Sequence, residues 1–101
     1  MKMPNKTKIK LKLVGVLRKL YGKENFEMEF NEEVEIRDVI QKLASSSNQE
    51  FKRALIDPEL QDPRPNTLIL VNGKEIGILN GLKTKVKNND QIVLISISHG
   101  G

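Results

Sequence analysis

The sequence predicts an α+β domain: a mixed sheet of about four to five strands packed on one main helix, with a second, short helix beside it. Three observations carry that expectation. Residues 8–13 and 26–30 alternate strictly between apolar and charged side chains, the period of half-buried strands. Between Ile36 and Leu43 the apolar spacing lengthens to three and four, the stripe of an amphipathic helix. The chain then returns to β-branched apolar runs at residues 67–71 and 91–97. A length of 101 residues suits one core and is too short for two.

In the first run Ile9, Leu11 and Leu13 share one face and Lys8, Lys10 and Lys12 the other. Phe26, Met28 and Phe30 repeat the pattern with Glu27 and Glu29 outside, so an antiparallel hairpin would merge the apolar faces and set lysines across from glutamates. Ile36, Val39, Ile40 and Leu43 form the helical stripe, which ends in Ser45-Ser46-Ser47. A shorter helix should start at Asn48, place Phe51 and Leu55 in the core, and stop before Asp57-Pro58. Residues 61–65 hold two prolines and read as a stiff surface loop. The run at 67–71 leads into Asn72-Gly73, a strong hairpin signal, and a brief strand at 75–78, with a further turn at Asn80-Gly81. In the last run Ile92 and Leu94 lie on one face and Val93, Ile95 and Ile97 on the other, as in a strand covered on both sides and therefore central. A right-handed crossover from the second strand to the third, with the last strand inserted between the halves of the sheet, is a β-grasp arrangement.

Composition excludes much chemistry. The chain has no cysteine and one histidine, His99, which removes disulfides, thiolate zinc sites, cysteine nucleophiles and two-histidine metal sites. A net charge of +4 does not make a nucleic-acid surface, because its distribution opposes one. Residues 1–23 carry eight basic and no acidic side chains, whereas residues 24–38 carry seven acids and one arginine. Pairing these blocks as neighbouring strands cancels much of the field, and one Tyr, three Phe and no Trp leave few platforms for stacking bases. Nucleic acid and membrane are therefore not expected partners. The longest apolar runs, at 68–71 and 92–95, fall far short of a membrane span or a secretory core, and the expected location is the cytoplasm. The acids from 29 to 38, including Glu35 and Asp38, form no paired-carboxylate pattern and instead suit the start of a helix.

The remaining candidate for chemistry is the end of the chain, Ser98-His99-Gly100-Gly101, directly after the central strand. The early hairpin, the stripe from Ile36 to Leu43, Val71-Asn72-Gly73, Asn89-Asp90-Gln91-Ile92-Val93 and the terminal glycines, in that order, resemble the ubiquitin-like sulfur carriers and modifiers. That group includes MoaD, ThiS, the ubiquitin-related modifier and the small archaeal modifier proteins. The His-Gly-Gly ending is closer to the ubiquitin-related modifier than to typical MoaD, which has prolines where Ser96 and Ile97 stand here. The resemblance implies a non-enzymatic carrier or modifier with a ubiquitin-like β-grasp domain over 1–97, residues 1–7 frayed, and a reactive tail over 98–101.

Physical chemistry supports the same end of the molecule. Glycine lacks Cβ and so lets backbone approach a partner closely, which makes Gly100 a candidate for access and Gly101 for reaction. A terminal carboxyl, with an ordinary pKa of about 3.5, is an oxygen nucleophile at neutral pH. Attack on ATP would give an acyl-adenylate, opened by a sulfur donor to a thiocarboxylate or passed to lysines of target proteins as an isopeptide. The sequence has no Gly-x-x-x-x-Gly-Lys-Ser/Thr loop, so ATP and Mg²⁺ are expected on a ubiquitin-activating-type adenylating enzyme and no cofactor on this chain. The resemblance also implies the large subunit of molybdopterin synthase as a partner. Val14, Val93, Ile95 and Ile97 should form an apolar patch at the root of the tail, with Val14 close to Ile97 and His99 beyond it as a further contact. The competing reading is a β-grasp interaction or RNA-binding module whose terminal glycines are incidental.

Overall fold

The computed structural model describes residues 6–97. Its five-stranded sheet has the order β2-β1-β7-β4-β5, with β1 Thr7–Val14, β2 Asn25–Phe30, β4 Thr67–Val71, β5 Lys74–Glu75 and β7 Gln91–Ser96. The last strand is central as expected, parallel to β1 and antiparallel to β4. The early hairpin has the expected charge arrangement, with Lys8 opposite Glu29 and Lys10 opposite Glu27. Thr7, expected among frayed residues, instead opens β1 as a buried residue paired with Phe30.

Two helices lie where the sequence places them. Helix α2, Ile36–Ser45, buries Ile36, Val39, Ile40, Leu43 and Ala44. Its start is fixed by a capping box, in which the Glu35 backbone N–H donates to Asp38 Oδ2 at 2.9 Å. Its end is fixed by Ser46 and Ser47, whose hydroxyls donate to the Lys42 and Leu43 carbonyls at 2.9 and 2.6 Å. Helix α3, Gln49–Leu55, is capped by Asn48 and buries Phe51 and Leu55. Ile9, Leu11 and Leu13 from β1, Ile69 and Val71 from β4, and Ile92 and Leu94 from β7 close the core against these helices. Each such side chain stabilises the fold by about 1.5–3 kcal/mol relative to exposure, before the entropy of ordering it.

Three elements depart from the expectation. The connection between β1 and β2 is not a simple hairpin but carries helix α1, Val16–Tyr21, bracketed by Gly15 and Gly22 at φ 78 and 89. Leu17 of α1 is fully buried and Leu20 and Tyr21 pack on the core, with Tyr21 stacked on Phe26 at a centroid distance of 4.6 Å. The brief strand expected over 75–78 ends at Glu75, whose carboxylate accepts from Gly77 N–H at 2.8 Å and turns Ile76–Ile78 into a 3-10 helix. A second sheet of two short strands, β3 Val34–Glu35 and β6 Lys85–Val86, closes the side of the core where α2 begins. The proline loop between α3 and β4 is held by its own polar groups: Asp57 Oδ1 accepts from Glu59 and Leu60, and Asp57 and Asp62 pair through their backbones.

The parity of β7 generates a first prediction. Leu94 is fully buried and Ile95 half-buried. Leu94→Asp should cost more than about 3 kcal/mol, because an unpaired charge would sit in the core. Ile95→Asp should cost on the order of 1 kcal/mol, since only part of that side chain leaves water. Urea midpoints of the two variants measure the difference.

Candidate functional site

The outer face of the sheet is graded from charged to apolar along the direction in which β7 leaves. One cross-strand row runs Glu27, Lys10, Gln91. The next runs Asn25, Lys12, Val93, Leu70, Glu75. The last runs Val14, Ile95, Leu68. Val14 therefore sits opposite Ile95 and not, as expected, beside Ile97, because parallel register with β7 places Lys12 against Val93 and shifts the rest accordingly. Beyond that row comes Ile97, 41% exposed, whose N–H donates to the Asn66 carbonyl at 2.8 Å. Val14, Val93 and Ile95 are half-buried, and Leu68 is 37% exposed. Of the anticipated residues, Val14, Val93 and Ile95 share this face, with Ile97 following at its end. Leu68 and Leu70 join them, and alternation within residues 67–71 carried that signal once β4 was known to border β7.

Gly100, Gly101 and His99 lie outside the described residues. What is described is the platform from which they extend: a β7 end hydrogen-bonded to Asn66 on one side and paired with β1 on the other.

A family model described as Urm1, ubiquitin related modifier, matches residues 8–101. The chain belongs to that family. Its function is accordingly that of a ubiquitin-related modifier, and the reading as a module with incidental glycines is not favoured. A ubiquitin-related modifier 1 homolog of Dictyostelium discoideum is 29% identical over 97 residues, covering 93% of this chain and 99% of that one. The solution structure of small archaeal modifier protein 1 from Methanosarcina acetivorans superposes with a TM-score of 0.80 at 24% identity, covering 96% of this chain and 99% of that one. That of Urm1 from Trypanosoma brucei gives 0.74 at 23%, with both chains wholly covered. These likenesses establish the ubiquitin-like β-grasp fold.

Among the described residues no group of three or more His, Cys, Asp or Glu is placed to hold a metal ion. A cleft of about 340 Å³ lies between α1 and the α2–α3 turn and is lined by Leu20, Tyr21, Lys23, Phe51 and the Ser46-Ser47-Asn48 turn. Its serine hydroxyls and the Asn48 carbonyl are spent on helix ends. No described helix is long and apolar enough to cross a membrane.

The charges on the outer face are only partly paired. Lys8 lies 3.9 Å from Glu27 and Lys6 3.7 Å from Glu29, both exposed, whereas Lys10 and Lys12 have no carboxylate within 4 Å among the described residues. The family member therefore presents an apolar strip bordered by two ammonium groups, those of Lys10 and Lys12, that are unpaired among the described residues. Its best-formed ion pair lies elsewhere, in the loop before β4, where Arg64 grips the Asp62 carboxylate through Nε and Nη2 at 3.0 and 2.6 Å. Hydrogen bonds from Arg64 hold Asp62 below the ordinary carboxylate range. A depressed folded-state pKa contributes stability above the unfolded pKa, and that contribution is lost as pH falls through the folded one. Arg64→Ala should raise the Asp62 midpoint toward the ordinary range, which carboxyl-carbon NMR titration reads directly.

Proposed function

We propose that Gly101 is the reactive group of this modifier and that its carboxylate is adenylated by a separate ubiquitin-activating-type enzyme. The observation that carries this reading is the position of the Gly100-Gly101 pair, four residues beyond a central strand whose outer face becomes apolar at the same end. In the reaction a carboxylate oxygen of Gly101 attacks the α-phosphorus of ATP, pyrophosphate leaves, and an acyl-adenylate forms. ATP and Mg²⁺ belong to the partner, and this chain contributes the nucleophile and a docking surface. A sulfur nucleophile that opens the mixed anhydride with release of AMP leaves sulfur on Gly101. A thiol followed by a lysine amine leaves an isopeptide bond on a target protein.

Residues 98–101 act as the tail of the domain formed by 1–97, and Gly100 gives the tail the narrow profile a channel requires. Val14, Leu68, Val93, Ile95 and Ile97 dock the adenylating enzyme or the large subunit of molybdopterin synthase, with His99 as a contact along the way. Lys10 and Lys12 match an acidic rim on that partner. The protein is not itself an enzyme, binds no resident cofactor, and works in the cytoplasm.

Two experiments test the reading. ATP–pyrophosphate exchange by the cognate adenylating enzyme should depend on this protein and disappear when Gly100 and Gly101 are removed. Undiminished exchange by the truncated chain refutes adenylation at Gly101. Use as a modifier leaves a distinct mark: residues 88–101 contain neither Lys nor Arg, so trypsin cuts last at Lys87. A conjugated lysine should therefore carry the whole 88–101 segment as a branch in digests of cellular proteins. If free carboxylate and thiocarboxylate forms alone appear with deconjugation blocked, sulfur delivery is the sole use.

A further inference from the structure

We infer that Ser96 is a positioning residue for the chemistry at Gly101, because its hydroxyl ties the root of the tail to the junction of β1 and α1. The inference rests on the reading of Gly101 given above. Ser96 Oγ accepts the Val16 backbone N–H at 2.9 Å and donates to the Val14 carbonyl at 3.2 Å. It thereby spans both sides of Gly15 with a residue 80 positions away in sequence.

The space for this contact exists because position 15 is glycine. A Cβ there would collide with Ser96 Oγ, and the φ of 78 already disfavours a side chain. Gly15 is the N-cap of α1 and makes no side-chain cap bond, so the first N–H of that helix would lack an acceptor. Ser96 supplies it from the end of β7. On the other edge, Ile97 N–H is held by the Asn66 carbonyl, and the Asn66 amide donates to the Arg53 carbonyl of α3 at 3.2 Å. The two residues before the tail are thus fastened to the β1–α1 junction, the proline loop and α3.

Covalent geometry gives this fastening its consequence. Residues 98–101 can extend at most about 14 Å from Ile97. A 10° change in the direction of departure moves the end of such an extended segment by about 2 Å, enough to remove a carboxylate from attack distance. Docking through the apolar strip sets how tightly the domain is held. The Ser96 contact sets where the carboxylate arrives once it is held.

The test separates these two effects in the full chain with the cognate adenylating enzyme. Ser96→Ala should lower kcat for pyrophosphate exchange by about fivefold to tenfold, with KM for this protein changed less than about twofold. Ser96→Thr, which keeps the hydroxyl, should restore most of the rate. Hydrogen exchange at the Val16 amide should quicken about fivefold in Ser96→Ala, while its urea transition remains cooperative. Unchanged kcat alongside faster Val16 exchange overturns the inference and leaves Ser96 as a helix cap alone. A change confined to KM overturns it equally. Exchange that persists without Gly100 and Gly101 defeats the reading of Gly101 itself, whatever the Ser96 variants do.

Discussion

The parallel pairing of β7 with β1 is the contact on which the rest of this structure depends. It brings the first and last strands together in the middle of the sheet, with Leu13 against Leu94 and Val14 against Ile95. Parallel neighbours need a long connection, and here the connection contains every helix among the described residues. Ile92 and Leu94 are fully buried in the core, so β7 cannot slip without exposing both. A single register therefore fixes which residues leave the sheet last and on which face they point.

That register also explains the outer face. β1 alternates lysine with apolar residues until Lys12 and then places Val14 outside, while β7 places Val93 and Ile95 outside. Superposing these strands in parallel concentrates charge at one end and apolar surface at the other. β4, running antiparallel, adds Leu70 and Leu68 to the same rows. The strip is a product of three strands, and no one of them would expose enough apolar area to hold a partner.

The division of labour follows from where polar groups are satisfied. Ser46, Ser47, Asn48, Asp38 and Asp57 are committed to helix ends and turns, and Thr67 bonds the Leu55 carbonyl. Such groups hold the chain in shape and are not free to move protons or bind substrate. On the reading of Gly101 proposed above, the described domain serves as the platform for a group carried at the end of the chain.

Much of the fold was readable in the sequence because its strongest signals are periodic. Ile9-Leu11-Leu13, the stripe from Ile36 to Leu43 and the doubly apolar β7 follow from the periods of strand and helix alone. Asn48 announced α3 through local capping chemistry. Helix α1 was equally present, with Leu17, Leu20 and Tyr21 at helical spacing between Gly15 and Gly22, but six residues between two complementary strands read as a hairpin connection. The two-residue strands β3 and β6 carry too few side chains for any period to show. Within the candidate site, the residue types and the outer parity of Val14, Val93 and Ile95 came from the sequence by itself, as did the Gly100-Gly101 end. The tertiary structure alone decided that Val14 meets Ile95, that Leu68 and Leu70 complete the strip, and that Ser96 fills the space above Gly15. Those relations depend on contacts between residues as many as 82 positions apart, which packing sets and local pattern does not encode.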